Sequence, residues 1–279
     1  MRIAGAPISW GVCEVPGWGH QLGRHRVLSE MRDLGLTATE FGPDGFLPES
    51  RAERDRLLDR YGLRGIGGFV PIVLHEGDPL PAVQAAIKNF APGDVMVLAA
   101  ATGGDGYDRR PVLDAAGWRE LLGNLGRVAA EAAESGRTVA LHAHVGTMVE
   151  TREEVERVLD GCPMPLCLDT GHLLAGGTDP AELVAAVAGR VAHVHLKDVD
   201  ADLAARVRTG ELTYTAAVKS GMYRPLGRGD VDITRIVSGL ARAGYEGWYV
   251  LEQDVVLTGE EARPAEDVRA CLDRLASLT

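Results

Sequence analysis

Basic side chains never gather into a run, and aromatic residues make up only 5% of the chain. With a formal net charge of -11 and no local Lys/Arg cluster to offset it, a nucleic-acid backbone would be repelled, so no nucleic-acid partner is expected. The four cysteines (Cys13, Cys162, Cys167 and Cys271) form neither a CxxC pair nor a dense framework, which points to reduced thiols rather than disulfides. No stretch is apolar enough to span a bilayer, and residues 1–9 lack a basic start followed by a long apolar core. A soluble, cytoplasmic protein with no membrane partner is therefore expected. Three nucleotide and nucleophile signatures are also missing. Gly65-Ile66-Gly67-Gly68 falls inside a predicted strand and is not a phosphate loop, and neither a P-loop nor a GxSxG elbow occurs. Nucleotide-dependent chemistry and serine hydrolysis are disfavoured. No low-complexity segment or linker divides the chain, so residues 1–279 are expected to form one domain.

What is present is alternation. Strand-like runs at 2–8, 37–41, 63–73, 95–100, 138–142, 166–169, 191–195 and 248–252 are separated by helix-like segments. Two of those helices carry capping-box signatures, Ser50 with Glu53 and Thr151 with Glu154. A long helix over 114–135 is expected to break near its start. A long insertion at about 200–229 follows strand seven, with helical pieces near 201–209 and 214–220. Eight strand–helix repeats at this length predict an α/β fold, a (β/α)8 TIM barrel, with a doubly wound sheet as its competitor.

The chain is organised around residues 165–199, PLCLDTGHLLAGGTDPAELVAAVAGRVAHVHLKDV, which read as a βαβ unit with a Gly-rich turn after the first strand. Asp169 ends one strand and His195 the other. In parallel α/β folds the carboxyl ends of strands hold the chemistry. Counting five residues on from the strand starts Met164, Arg190, Gly247 and Arg137 reaches Asp169, His195, Glu252 and His142. Four metal-competent side chains on consecutive strand ends predict one divalent-metal site. Mixed nitrogen and carboxylate ligands favour Mn or Co, and admit Mg or Zn. His144 alternates onto the same side as His142, so either one serves as the strand-five ligand.

Further candidates surround that set. His172 could bind a substrate oxygen or cap its turn. Lys197 shares the side of His195 and could donate a proton, hold an enolate, or pair with Asp198 or Asp200. Glu150 lies on the loop after strand five, either within reach of the site or solvated. Glu40 ends strand two and Trp10 follows strand one, offering a polar group and an apolar wall for a ring-shaped substrate. Arg224 and Arg228 sit in the insertion, where they either cover the mouth or stand free.

The segments PISWGVCEVPGWG, TEFGPDGFLP, LHAHVGTMVET, CLDTGHLLAGGTDP, HVHLKDV, YRPLGRGDVDI and GWYVLEQD span residues 7–254. Through them the chain resembles the xylose-isomerase-like barrel superfamily of sugar isomerases, epimerases and endonuclease IV, and within it the inosose dehydratase group. The resemblance implies a divalent metal, usually Mn or Co, held by Asp169, His195 and Glu252. It also exposes a departure: sugar epimerases place Glu at the strand-five ligand, where this chain has His142 or His144. That departure favours elimination over 3-epimerisation. The implied activity is removal of water from a small cyclic polyol ketone, with Glu252 or a nearby His as base and Lys197 or His172 as acid. A sugar isomerase or epimerase using the same enediolate is the alternative, and a non-catalytic sugar-binding barrel a further one. Barrels of this kind often self-associate, so a homo-oligomer is admitted.

Overall fold

The computed structural model describes residues 1–278. Eight parallel strands close into a barrel: Arg2–Gly5, Ala38–Thr39, a third strand in two pieces (Arg64–Gly65 and Gly67–Val73), Val95–Ala101, Thr138–His142, Leu166–Asp169, Val191–Leu196 and Trp248–Leu251. Each pairs with its sequence neighbour, and the eighth closes onto the first through Arg2↔Trp248 to Gly5↔Leu251. The expected barrel is the observed one. Its third strand changes allegiance midway: Arg64–Gly65 pairs back to the second strand and Gly67–Val73 forward to the fourth. The switch requires Gly67, because a Cβ there would lie 2.3 Å from the Val95 carbonyl oxygen.

Helices α1 (Arg24–Asp33), α2 (Arg51–Asp59), α3 (Leu80–Ile87), α4 (Ala115–Ser135) and α5 (Arg152–Gly161) cover the first five strands. They are followed by α6 (Thr170–Ala175), α7 (Pro180–Val187), α8 (Ala201–Arg208), α9 (Tyr214–Lys219), α10 (Ile233–Arg242) and α11 (Pro264–Ala276). In α10 the buried side chains Ile233, Ile236, Val237 and Leu240 fall at helical spacing, one face pressed onto the barrel. The insertion after strand seven holds α8 and α9, and Asp198–Val199 pairs antiparallel with Tyr223–Arg224 at its base. Among the described residues no helix is long and apolar enough to cross a membrane.

Period-two alternation sets the layer beneath the strand ends. Ala140, Cys167, His193 and Val250 precede His142, Asp169, His195 and Glu252 by two residues, and all four are buried. A mostly small layer there leaves room for the larger polar groups above it.

Several local expectations differ from the structure. The first strand stops at Gly5 rather than residue 8, since Pro7 has no N–H for a ladder, and Pro7–Trp10 form a 3-10 turn. The Thr151–Glu154 capping box is formed, but the Ser50 side chain makes no cap hydrogen bond. Helix α4 runs unbroken from its Asp114 cap. The Gly-rich turn after Asp169 is in fact α6, started by Asp169 itself.

Candidate active site and metal centre

Asp169 divides its two oxygens between structure and site. Oδ1 accepts from the backbone N–H of Gly171 (2.9 Å) and His172 (2.7 Å), the cap that begins α6. That anchoring turns Oδ2 toward the barrel axis, where His142 Nε2 lies at 3.1 Å, His195 Nδ1 at 3.4 Å and Lys197 Nζ at 3.3 Å. Glu252 Oε2 meets the same pair from strand eight, 3.0 Å from His195 Nδ1 and 3.0 Å from Lys197 Nζ. All of these groups are buried or nearly so. The four strand ends therefore converge.

Lys197 also lies 2.9 Å from Asp254 Oδ1. Burial alone would push its ammonium toward neutrality, but Asp169, Asp254 and Glu252 overcome this and hold it charged. Burial would likewise raise Asp169; Lys197 and the neighbouring histidines hold its carboxylate well below the usual range. Asp254 goes the other way, raised because burial outweighs Lys197.

The donor set suits a divalent cation. His142, Asp169 and His195 present ligand atoms within 4.8 Å of one another. Both His142 Nδ1 and His195 Nδ1 are buried without a hydrogen bond. His195 Nε2 lies 2.9 Å from Glu40 Oε1, an acceptor, so Nε2 donates there and Nδ1 is turned to Glu252 and Asp169. Burial opposes a charged ring, but Cys167, Glu252 and Glu40 outweigh it and hold the pKa well above the usual imidazole range, so that a proton or a metal ion is drawn to Nδ1. Such an arrangement calls for a positive charge between them. These buried His, Asp and Glu side chains form a candidate divalent-metal site, and their mixed ligands belong to that class of ion.

Above them opens a cavity of about 570 Å³, large enough for a six-membered polyol ring. His142, His144, His195, Lys197, Glu252 and Glu40 line its floor. Phe69 stands edge-on to His142 at 5.8 Å and supplies an apolar wall, with Trp18 and Tyr107 around it. Tyr107 packs 4.4 Å from His144 and hydrogen-bonds Glu14, joining two loops over the mouth.

The other sequence candidates divide. His144 donates from Nδ1 to the Val145 carbonyl at 2.6 Å and groups with His172 and Asp254; it is His142 that stands beside Asp169 and His195. His172 does not line the cavity. It lies behind His144, ring centres 3.7 Å apart, and its Nδ1 accepts from the Val145 N–H and faces Tyr223 Oη at 3.2 Å. Glu150 is turned away as well, with its carboxylate on Arg110 at 3.0 Å and the Gly146 N–H at 2.8 Å. Trp10 is no wall of the cavity: it is wholly buried, and its indole N–H donates to Glu30 at 2.7 Å. Arg224 pairs with Asp200 at 3.1 Å outside the cavity. Arg228 is exposed and also lies outside it. Lys197 pairs with neither Asp198 nor Asp200.

Four residues that the sequence did not single out belong to the site region. Asp254 follows Glu252 by two, the same offset that marked Lys197 after His195, and that parity could have found it. Tyr214 donates to Asp254 Oδ2 at 2.5 Å, and Tyr223 lies against Lys197 and His172; both come from the insertion, where no periodicity points inward. His193 precedes His195 by two and shares Glu40.

The sequence pattern of the xylose isomerase-like TIM barrel matches residues 28–275. The chain belongs to that family. Within its reach, the rhizopine catabolism protein MocC of Rhizobium meliloti is 35% identical over 267 residues, covering 91% of this chain and 82% of its own. An inosose dehydratase of Geobacillus kaustophilus (strain HTA426) is 34% identical over 273 residues, covering 91% and 87%. Among solved structures with the xylose isomerase-like fold, that of the IOLI protein with a binding zinc atom superimposes with a TM-score of 0.68. It shares 12% identity and covers 100% of this chain and 98% of its own.

Proposed function

We propose that this xylose isomerase-like barrel is a divalent-metal-dependent hydro-lyase that removes water from a cyclic polyol ketone such as 2-keto-myo-inositol. The observation that carries the reading is the meeting of His142, Asp169, His195 and Glu252 directly beside Lys197, with all but the buried Asp169 lining the floor of a ring-sized cavity. The relatives named above, one of them an inosose dehydratase, supply the substrate class. His142, Asp169, His195 and Glu252 would hold the metal, with Mn or Co as the preferred ions. When bound, a divalent metal supplies Lewis-acid polarisation of the ketone oxygen and neutralises charge that develops there.

The remaining chemistry falls to side chains. Glu252 accepts the proton from the carbon next to the carbonyl, giving an enediolate. The Lys197 ammonium gives a proton to the hydroxyl on the following carbon as its C–O bond breaks, and water leaves. Glu252 Oε2 and Lys197 Nζ are 3.0 Å apart, so the proton taken by one returns to the other and both are restored. His172, behind His144, is left out of this step, and Asp254 steadies Lys197 from the far side. Phe69 and Tyr107 exclude water from the ring faces.

Product analysis tests the reading. The Mn-loaded protein is incubated in deuterated water with 2-keto-myo-inositol and a panel of ketoses. Loss of water from the inosose is expected; an epimerised or isomerised ketose without water loss would replace this reading with the isomerase alternative.

A further inference from the structure

Glu40 lines the cavity, and from sequence it is a polar group for substrate. Its hydrogen bonds give it other work. One oxygen, Oε1, faces two ring nitrogens on strand seven, His193 Nε2 at 2.8 Å and His195 Nε2 at 2.9 Å. The backbone beneath it is fixed: its N–H donates to Gly5 O at 3.0 Å, and Thr39 Oγ1 donates to its carbonyl at 2.8 Å. Glu40 is buried, as are both histidines.

A carboxylate can only accept, so both histidines must donate from Nε2. For His195 this fixes which edge of the ring is turned to the site. Nδ1 is left to face Glu252 Oε2 at 3.0 Å and Asp169 Oδ2 at 3.4 Å. Among the described residues His193 Nδ1 is buried without a hydrogen-bond partner, and the bond to Glu40 orients its ring. Two donors on one oxygen keep the carboxylate from swinging toward the cation or into the cavity.

We propose that Glu40 is a positioning residue that holds His195 in the tautomer and orientation offering Nδ1 to the divalent cation, with His193 locking Glu40 in place. This rests on the metal site proposed above. It assigns Glu40 to the metal rather than to the substrate. Partners of metal-bound histidines fix the ring and raise its basicity, and losing one costs about 10–100-fold in metal affinity.

The test is Mn2+ affinity of purified protein, read from the electron paramagnetic resonance of free Mn2+, for wild type, Glu40→Ala and Glu40→Gln. Glu40→Ala is expected to bind Mn2+ about 10–100-fold more weakly, and Glu40→Gln, whose amide oxygen still accepts but carries no charge, to fall between. At saturating Mn2+, KM for the ketone is expected to stay near that of wild type. Wild-type Mn2+ affinity in both variants, with a raised KM, would make Glu40 a substrate group and overturn the inference. Should Glu40→Ala fail to fold, an unchanged Mn2+ affinity in Glu40→Gln overturns it alone. A wild-type protein that binds no Mn2+ would instead overturn the metal site itself, so the two failures are told apart.

Discussion

Side chains of the candidate metal site are held by contacts that leave one edge free for chemistry. Asp169 is the clearest case, with Oδ1 spent on the α6 cap and Oδ2 turned to the site. Asn caps helices about as well as Asp, so Asp169→Asn is expected to fold while losing the charge that a cation needs. Mn2+ affinity should fall by at least about 100-fold, beyond the loss typical of an outer partner, with the circular dichroism spectrum unchanged. Lys197 separates binding from turnover. Lys197→Met is expected to keep Mn2+ affinity but lower kcat by roughly 10²–10⁴, the usual contribution of a positioned acid. The same change leaves Asp169, Glu252 and Asp254 without their ammonium, so the metal-free variant should melt below metal-free wild type. Burial pushes the thiols of Cys167 and Cys271 up to about 11, so labelling of the native protein by a thiol reagent at pH 8 is expected to be slow and to become fast only on unfolding.

At the scale of elements, the site depends on how loops and helices are tied to strand ends. The Thr151–Glu154 box starts α5 immediately after the loop that carries His144 and Glu150. Thr151→Ala should cost about 1 kcal/mol of stability, measured by urea unfolding, with little change in metal affinity. Gly146 holds that loop against the 102–110 loop: its φ is 79°, and an added Cβ would lie 2.3 Å from the Tyr107 carbonyl oxygen. Gly146→Ala is therefore expected to displace Tyr107 from above His144. The signal is a raised KM at constant Mn2+ affinity.

Elements are also the level at which the sequence was most informative. Strand ends were legible because buried parallel strands form short apolar runs, and a polar residue closing four of them in succession cannot be explained by packing alone. The helix α6 was hidden because its start signal, Asp169, had already been read as a site residue; the side chain does both. Trp10 and Phe69 exchange roles for a tertiary reason. Pro7 ends the first strand early and folds Trp10 back onto Glu30, whereas Phe69, in the third strand, faces inward beside His142. Arg224 and Arg228 lie away from the mouth because the pairing of Tyr223–Arg224 with Asp198–Val199 directs Tyr223, not the arginines, toward Lys197. No local pattern encodes that ribbon.

For the whole molecule, closing the sheet places side chains from strands two, five, six, seven and eight around one axis. The chain carries a net charge of -11, and the site gathers Asp169, Glu252 and Asp254 about a single lysine. A divalent cation bound only by the folded state stabilises it by about 2.7 kcal/mol at a hundredfold excess over Kd. In a protein of this size that corresponds to a melting temperature roughly 4–6 °C lower after chelation, recovered on adding Mn2+. The most direct measurement is anomalous diffraction at the manganese edge from crystals grown with Mn2+. The account predicts one strong peak enclosed by His142, Asp169, His195 and Glu252. A barrel without a peak there, or with manganese bound elsewhere while Asp169 and Glu252 face Lys197 alone, would contradict it.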